Sequence, residues 1–158
     1  MNSTPIKHRQ RGMALLVSLV FLLLLTLIGL SSMQSATLQE KMTSSVMLRN
    51  QSFQIAEAAL RMGESAVQAQ AYTLAVCTSV TQCAPPAESA TITAAGRNSS
   101  SGVTWVAAAG GFYGVQNIGI TQGAAKLRGQ SVTLYRVTAV AVVGNNQRSV
   151  VESIYAKY

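Results

Sequence analysis

From Met13 to Leu30 the chain reads MALLVSLVFLLLLTLIGL, 18 residues without a charge, and no charged residue occurs between Arg11 and Glu40. At about 1.5 Å per residue, a helix of this length crosses most of a hydrocarbon core roughly 30 Å thick. The competing reading is a buried core helix, which needs enough protein to cover a rod that is apolar on every side. A chain of 158 residues leaves too little for that. Lys7, Arg9 and Arg11 precede the run and the residues after it carry little net charge. The N-terminus is therefore expected to stay cytoplasmic, with the remainder on the far side of the membrane.

The residue inventory narrows the chemistry. Lys and Arg number 12, all five acidic residues are Glu, Asp is absent and the single His is His8. No Ser-His-Asp or Cys-His machine can be assembled, and an Asp-rich calcium loop is excluded. Charged residues make up 11% of the chain, roughly half the share in an ordinary soluble domain. The expectation is a structural or binding protein, not an enzyme, with no cofactor and no metal.

What stands before the apolar run matters as much as the run. Gly12 separates the basic segment KHRQRG from it. An ordinary secretory signal is removed together with its apolar stretch. Cleavage between Gly12 and Met13 would instead remove only the basic leader and leave the hydrophobic helix in the mature chain. Glycine also lets an enzyme approach the backbone closely. This arrangement resembles the class III signal of type IV pilins and pseudopilins, in which a prepilin peptidase cuts after Gly and methylates the new N-terminus. The resemblance implies an N-methylated Met13.

Downstream, Leu38, Met42, Val46, Phe53, Ala56, Leu60, Val67, Ala71 and Leu74 recur at three-, four- or seven-residue spacing, with Arg49 and Gly63 as imperfect members of the stripe. Glu57 and Arg61 form a favourable i,i+4 pair off that stripe. No proline lies between Pro5 and Pro85, so helix is expected from Met13 to about Val76, roughly 95 Å. A coiled coil is the competing reading of the same pattern.

RGMALLVSLVFLLLLTLIGL, TLQEKM at Thr37–Met42 and RNQSFQIAEAALRMGE at Arg49–Glu64 resemble the N-terminal signature of PilX-family minor pilins, and YRVTAVAVVGNNQRSVVESIY is similar to the paired strands that end that family. The middle of the chain is unmatched. The implied fold is α+β and type IV pilin-like, a long helix packed on a small antiparallel sheet. Its parts would be a leader at 1–12, a transmembrane and filament-core helix at 13–35, an amphipathic helix at 36–76 and a small disulfide-stapled β head at 77–158. The resemblance implies a subunit that primes, and enters, a pilus at or near its tip and supports twitching and adhesion. The alternative is a minor pseudopilin of a type II secretion system. Implied partners are other minor pilins, the major pilin, the prepilin peptidase, the inner-membrane assembly platform and a large tip adhesin. Localisation follows as a single-pass inner-membrane protein with a periplasmic head, later part of an extracellular filament.

Major pilins carry Glu at the fifth mature position, where this chain has Val17. In the family that Glu pairs with the N-terminal amine of the subunit assembled before it. A carboxylate in hydrocarbon without a partner costs several kcal/mol, so an apolar residue suits a subunit that has no predecessor. Simple drift to an apolar residue is the other reading.

Cys77 and Cys83 bracket five residues after the helix. In an oxidising periplasm they are expected to form a structural disulfide that staples the helix end to the head. A redox pair would have C-x-x-C spacing, and no His or Asp follows to complete a metal site. Val103–Ala108 is expected as a strand, Trp105, Phe112 and Tyr113 as core, and Ser131–Val143 with Gln147–Tyr158 as a hairpin turning at Gly144-Asn145-Asn146. Removing Lys7, Arg9 and Arg11 lowers the net charge from +7 to +4. The head cations Arg97, Lys126, Arg128, Arg136, Arg148 and Lys157 are scattered, so a solvated surface is expected and a nucleic-acid partner is not.

Overall fold

The computed structural model describes residues 11–123, 129–144 and 146–158. The expectations for Lys7, His8 and Arg9 of the leader, for Lys126 and Arg128, and for Asn145 of the turn lie outside the described residues. Two units are distinguished, Met1–Ser45 and Val46–Tyr158.

In the first unit the described chain is helix α1, which starts at Arg11 and continues into the second unit as far as Gln68. No residue from Gly12 to Met47 is buried. Hydroxyls within it are returned to its own backbone: Ser18 donates to Leu15 O at 2.9 Å and Thr26 to Leu23 O at 2.8 Å. An isolated hydroxyl in hydrocarbon is costly, and this local bond removes the cost.

In the second unit, the end of α1 packs on a five-stranded antiparallel sheet in the order β1-β2-β3-β4-β5. The strands are β1 (Gly96–Arg97), β2 (Thr104–Ala108), β3 (Gly111–Thr121), β4 (Val132–Val143) and β5 (Gln147–Lys157). This is the α+β arrangement expected. The β4–β5 hairpin follows its Val- and Thr-rich sequence closely, with Val143 opposite Gln147 and Thr133 opposite Lys157. β2 and β3 turn at Ala109-Gly110, where both residues have positive φ, 52° and 84°. That turn geometry matches strand twist and explains the glycine there.

The helix face against the sheet differs from the stripe of large side chains. Leu38, Met42, Val46 and Phe53 are all at least half exposed. The buried positions are Ser52, Ala56, Ala59, Gly63 and Val67. Ala56, Gly63 and Val67 belong to the stripe read from the sequence, and Ser52 and Ala59, small residues at the same helical spacing, complete the buried face. Gly63, an imperfection in the sequence pattern, is the closest point of approach. A Cβ built there would lie 2.5 Å from Val137 Cγ1 and 2.9 Å from Tyr113 Cδ2. Around it Val67, Val115, Tyr135 and Val137 form one core cluster with Leu60, Tyr72, Tyr113 and Tyr155 at its margin. Each fully buried valine contributes roughly 1.5–3 kcal/mol.

A second cluster lies under β2 and β4: Val103, Trp105 and Val140, flanked by Ile92 and Phe112. Trp105 is buried as expected, while Phe112 and Tyr113 are half-buried. Ile92 belongs to the connection between α1 and β2, which also holds α2 (Val80–Cys83) and a short 3-10 helix (Ala87–Ala90). The indole of Trp105 donates to Glu88 Oε1 at 3.3 Å, and the Ser101 hydroxyl donates to the same oxygen.

α1 ends at Gln68, short of the Val76 expected from sequence. Ala69–Val76 contains neither Gly nor Pro, so nothing local signals a stop. Remote groups take its carbonyls instead. Lys157 Nζ donates to Ala69 O at 2.6 Å and to Tyr72 O at 3.2 Å, and Asn117 Nδ2 donates to Leu74 O at 2.7 Å. Tertiary hydrogen bonds to carbonyls beyond the helix outweigh the propensity of those residues to continue it.

Candidate functional site

Two places carry the chemistry available to this chain: the apolar segment of α1, and the clasped connection beside the sheet. Among the described residues there is no group of His, Cys, Asp and Glu that could hold a metal ion.

The apolar segment presents Leu15, Leu16, Phe21, Leu22, Leu25 and Ile28 at 61% exposure or more. Monomeric soluble proteins rarely leave contiguous apolar surface of this extent in water. Among the described residues α1 is the one helix long and apolar enough to cross a membrane. Val17 lies within the segment and is half exposed, so whatever covers the segment also meets Val17. The Gly12–Met13 bond falls in the first described turn of α1, and among the described residues nothing lies within 4 Å of a Cβ built on Gly12.

Cys77 and Cys83 are joined by a disulfide with Cα atoms 5.3 Å apart. The bridge does not staple the helix end directly, because α1 has already stopped at Gln68. It closes a short loop that includes α2, and side chains from the sheet hold that loop. Gln116 Nε2 donates to Gln82 O at 2.6 Å and to Ala84 O at 3.0 Å. Arg136 Nη1 donates to Cys83 O at 2.6 Å while its Nε pairs with Glu152 Oε1 at 3.1 Å. The backbone N–H of Cys77 donates to Asn117 O at 2.9 Å, forming a parallel bridge of Val76 with Asn117. The covalent closure limits the unfolded loop and the hydrogen bonds fix it in place. Replacing both cysteines by serine is expected to cost roughly 2 kcal/mol for a loop this short. A thermal melt of the purified protein measures it; an unchanged Tm contradicts it.

The clasp accounts for much of the head's positive charge. Arg136, Arg148 and Lys157 all point into carbonyls of the connection. Arg148 Nη1 donates to Ser89 O at 3.2 Å and Ile92 O at 2.9 Å. Arg97 is exposed. Lys157 also stands 5.9 Å from the centre of the Tyr72 ring, and that ring meets Tyr135 edge-on with centroids 5.7 Å apart. Burial pushes the Tyr72 hydroxyl up from its usual range, since the anion would be poorly solvated there. Among the described residues Arg136, Arg148 and Lys157 serve internal carbonyls.

Gln116, Asn117, Arg136 and Lys157 went unnoticed as clasp residues in the sequence. One pair was recoverable. With the hairpin turning at Gly144–Asn146, Thr138 falls opposite Glu152 and Arg136 opposite Ile154, so Arg136 and Glu152 are diagonal neighbours of opposite charge on one face. A groove of about 400 Å³ lies beside the clasp, bordered by Tyr72, Val76, Arg97, Val106 and Tyr113. Its lining also includes the polar residues Thr78, Gln82, Thr104 and Gln116.

Residues 11–61 match the family model described as PilX N-terminal. No curated protein and no solved structure matches the chain significantly. The matched segment contains the whole apolar run and the first buried positions of the head, Ser52, Ala56 and Ala59.

Proposed function

We propose that this chain, a PilX-family type IV pilin, is a minor subunit that primes assembly of a pilus and remains at or near its tip, supporting twitching and adhesion. Pilins of this family are structural rather than enzymatic proteins. The observation that carries the proposal is the exposed apolar segment of α1 with Val17 inside it. Such a surface needs lipid around it in the membrane and sister helices around it in a filament, and one helix serves both without refolding.

In this reading a prepilin peptidase cuts between Gly12 and Met13 and methylates Met13. Residues 1–12 are then lost, 13–35 anchor the subunit and later join the filament core, and the remainder carries the periplasmic head. The N-terminus faces the cytoplasm until cleavage. Val17 spares the first subunit an unpaired carboxylate in hydrocarbon, a cost of several kcal/mol. A subunit that starts a filament tolerates this substitution, whereas one inserted behind others gains from the acid. The partners are other minor pilins, the major pilin, the inner-membrane assembly platform and a large tip adhesin.

Deletion of the gene tests this. Surface pili and twitching are expected to disappear while protein secretion continues, and re-expression of the full chain restores both. Loss of secretion with intact pili would overturn the proposal in favour of a pseudopilin of a type II secretion system.

A further inference from the structure

We infer that the groove beside the clasp is a binding site for an acidic sugar, a uronic-acid residue whose carboxylate is held by Arg97. The groove has a volume of about 400 Å³, within the range of small-ligand sites, roughly 300–1,000 Å³. Strand pairing sets its place in the fold. Arg97 of β1 stands opposite Thr104 of β2, and Val106 of β2 stands opposite Tyr113 of β3. Partners across a ladder, and residues two apart along a strand, share a face. Arg97, Thr104, Val106, Tyr113 and Val115 therefore lie on one side of the sheet, the side that Gly63 of α1 approaches at Tyr113. Tyr72, Val76 and Thr78 of the following connection complete the lining.

Charge selects an anion. Among the described residues Arg97 is the only charged one that borders the groove. It forms no ion pair there, whereas Arg136, Arg148 and Lys157 are committed to carbonyls of the connection. Glu88 holds the Ser101 hydroxyl but does not border the groove. A guanidinium presents paired N–H groups that match the two oxygens of a carboxylate. The neutral groups select hydroxyls. Thr78 N–H and Oγ1 both donate to Gln82 Oε1, at 3.2 and 2.9 Å, so Gln82 Nε2 is the amide's donor towards a ligand. The Thr104 hydroxyl can both donate and accept, as sugar hydroxyls do. Tyr72, Tyr113, Val76 and Val106 supply apolar surface for the C–H faces of a pyranose ring.

An extended peptide fits this groove less well, because it needs a run of free backbone groups along β3. β2 pairs with β3 as far as Gly114, and the Cys77 N–H donates to Asn117 O, which leaves Val115 and Gln116 between them. The walls are also fixed before a ligand arrives. A disulfide closes Cys77 to Cys83 on one side. Beside β1, Asn98 Oδ1 accepts from the N–H groups of Ser100 at 2.8 Å and Ser101 at 3.1 Å. Such preorganisation lowers the cost of binding. The sugar gives the adhesion proposed above a ligand and rests on that reading for where it is met. Binding by the purified chain needs no pilus, so the two can fail separately.

A ligand-observed NMR titration of the full chain, in a detergent without a sugar headgroup, tests the site with sodium glucuronate, glucose and sodium acetate. Glucuronate is expected to bind saturably, several-fold more tightly than glucose or acetate, and more weakly as salt is added. Arg97→Ala is expected to bring glucuronate down to the level of glucose. Val106→Trp, which fills the groove, is expected to abolish binding of both sugars. Arg97 and Val106 are exposed, so both variants are expected to melt with the parent. Lys41→Ala, which removes a cation of the first unit, is expected to change nothing. Equal affinity for glucuronate and glucose, or acetate binding as tightly as glucuronate, would overturn the inference. So would sugar binding that survives Val106→Trp, an acidic tripeptide that binds more tightly than glucuronate, or no saturable binding of glucuronate.

Discussion

Gly63→Leu is expected to cost the head about 3 kcal/mol or more, at the upper end of what overpacking a core does. The reason is geometric. A Cβ at this position already meets Val137 Cγ1 at 2.5 Å and Tyr113 Cδ2 at 2.9 Å, and both neighbours belong to or border the central cluster. A leucine adds three carbons beyond that point, with Ala59 and Val67 buried one turn either side. The helix cannot retreat without uncovering its whole small-residue face. Gly63→Ala is the finer probe, since alanine regains about 1 kcal/mol of helix propensity and offsets part of the clash. Urea unfolding of the purified protein orders the three as glycine, alanine, leucine from most to least stable. A leucine variant as stable as the parent contradicts the close packing of α1 on β4.

Leu22→Arg carries the other large effect, on the opposite end of the same helix. Leu22 stands near the middle of the uncharged run and is 66% exposed. A charge at the centre of a membrane helix costs about 3 kcal/mol, which is more than a hundredfold in partition. Most of the variant is expected in the soluble fraction after alkaline carbonate extraction, where the parent stays in the pellet. Because the substitution lies in the first unit, the melt of the head is expected to stay unchanged. A variant that remains fully membrane-bound contradicts a spanning role for Met13–Leu30.

These two residues mark the range of what the sequence discloses. The apolar run is legible because its signal is local: 18 adjacent side chains and an absence of charge. The β4–β5 hairpin is legible for a similar reason, since Val and Thr runs flank a turn at Gly144. β3 is not, because Gly111, Gly114 and Gly119 interrupt it and the buried Gln116 and Asn117 break the apolar alternation. Its glycines answer to neighbours elsewhere in the chain. A Cβ on Gly111 would lie 2.6 Å from Val140 O, and one on Gly114 would run into Val103. The end of α1 was hidden likewise, because Lys157 takes the carbonyl of Ala69, just past the helix, from 88 residues away in sequence. Features set by adjacent residues can be read in order along the chain, whereas those set by contacts between distant segments require the fold.

The same division applies to function. Gly12, Met13 and Val17 stand in one short segment whose meaning depends on spacing. The clasp of Gln116, Asn117 and Arg136 on the Cys77–Cys83 loop depends on strands that the sequence leaves unpaired.

The central claim is that the apolar segment is kept while the leader ahead of it is removed. Mass spectrometry of the protein isolated from membranes measures this directly. The account predicts a chain that begins at Met13, N-methylated, with Leu15 to Leu30 intact. A chain that still begins at Met1, or one cut after Leu30 and released without its apolar helix, would contradict it.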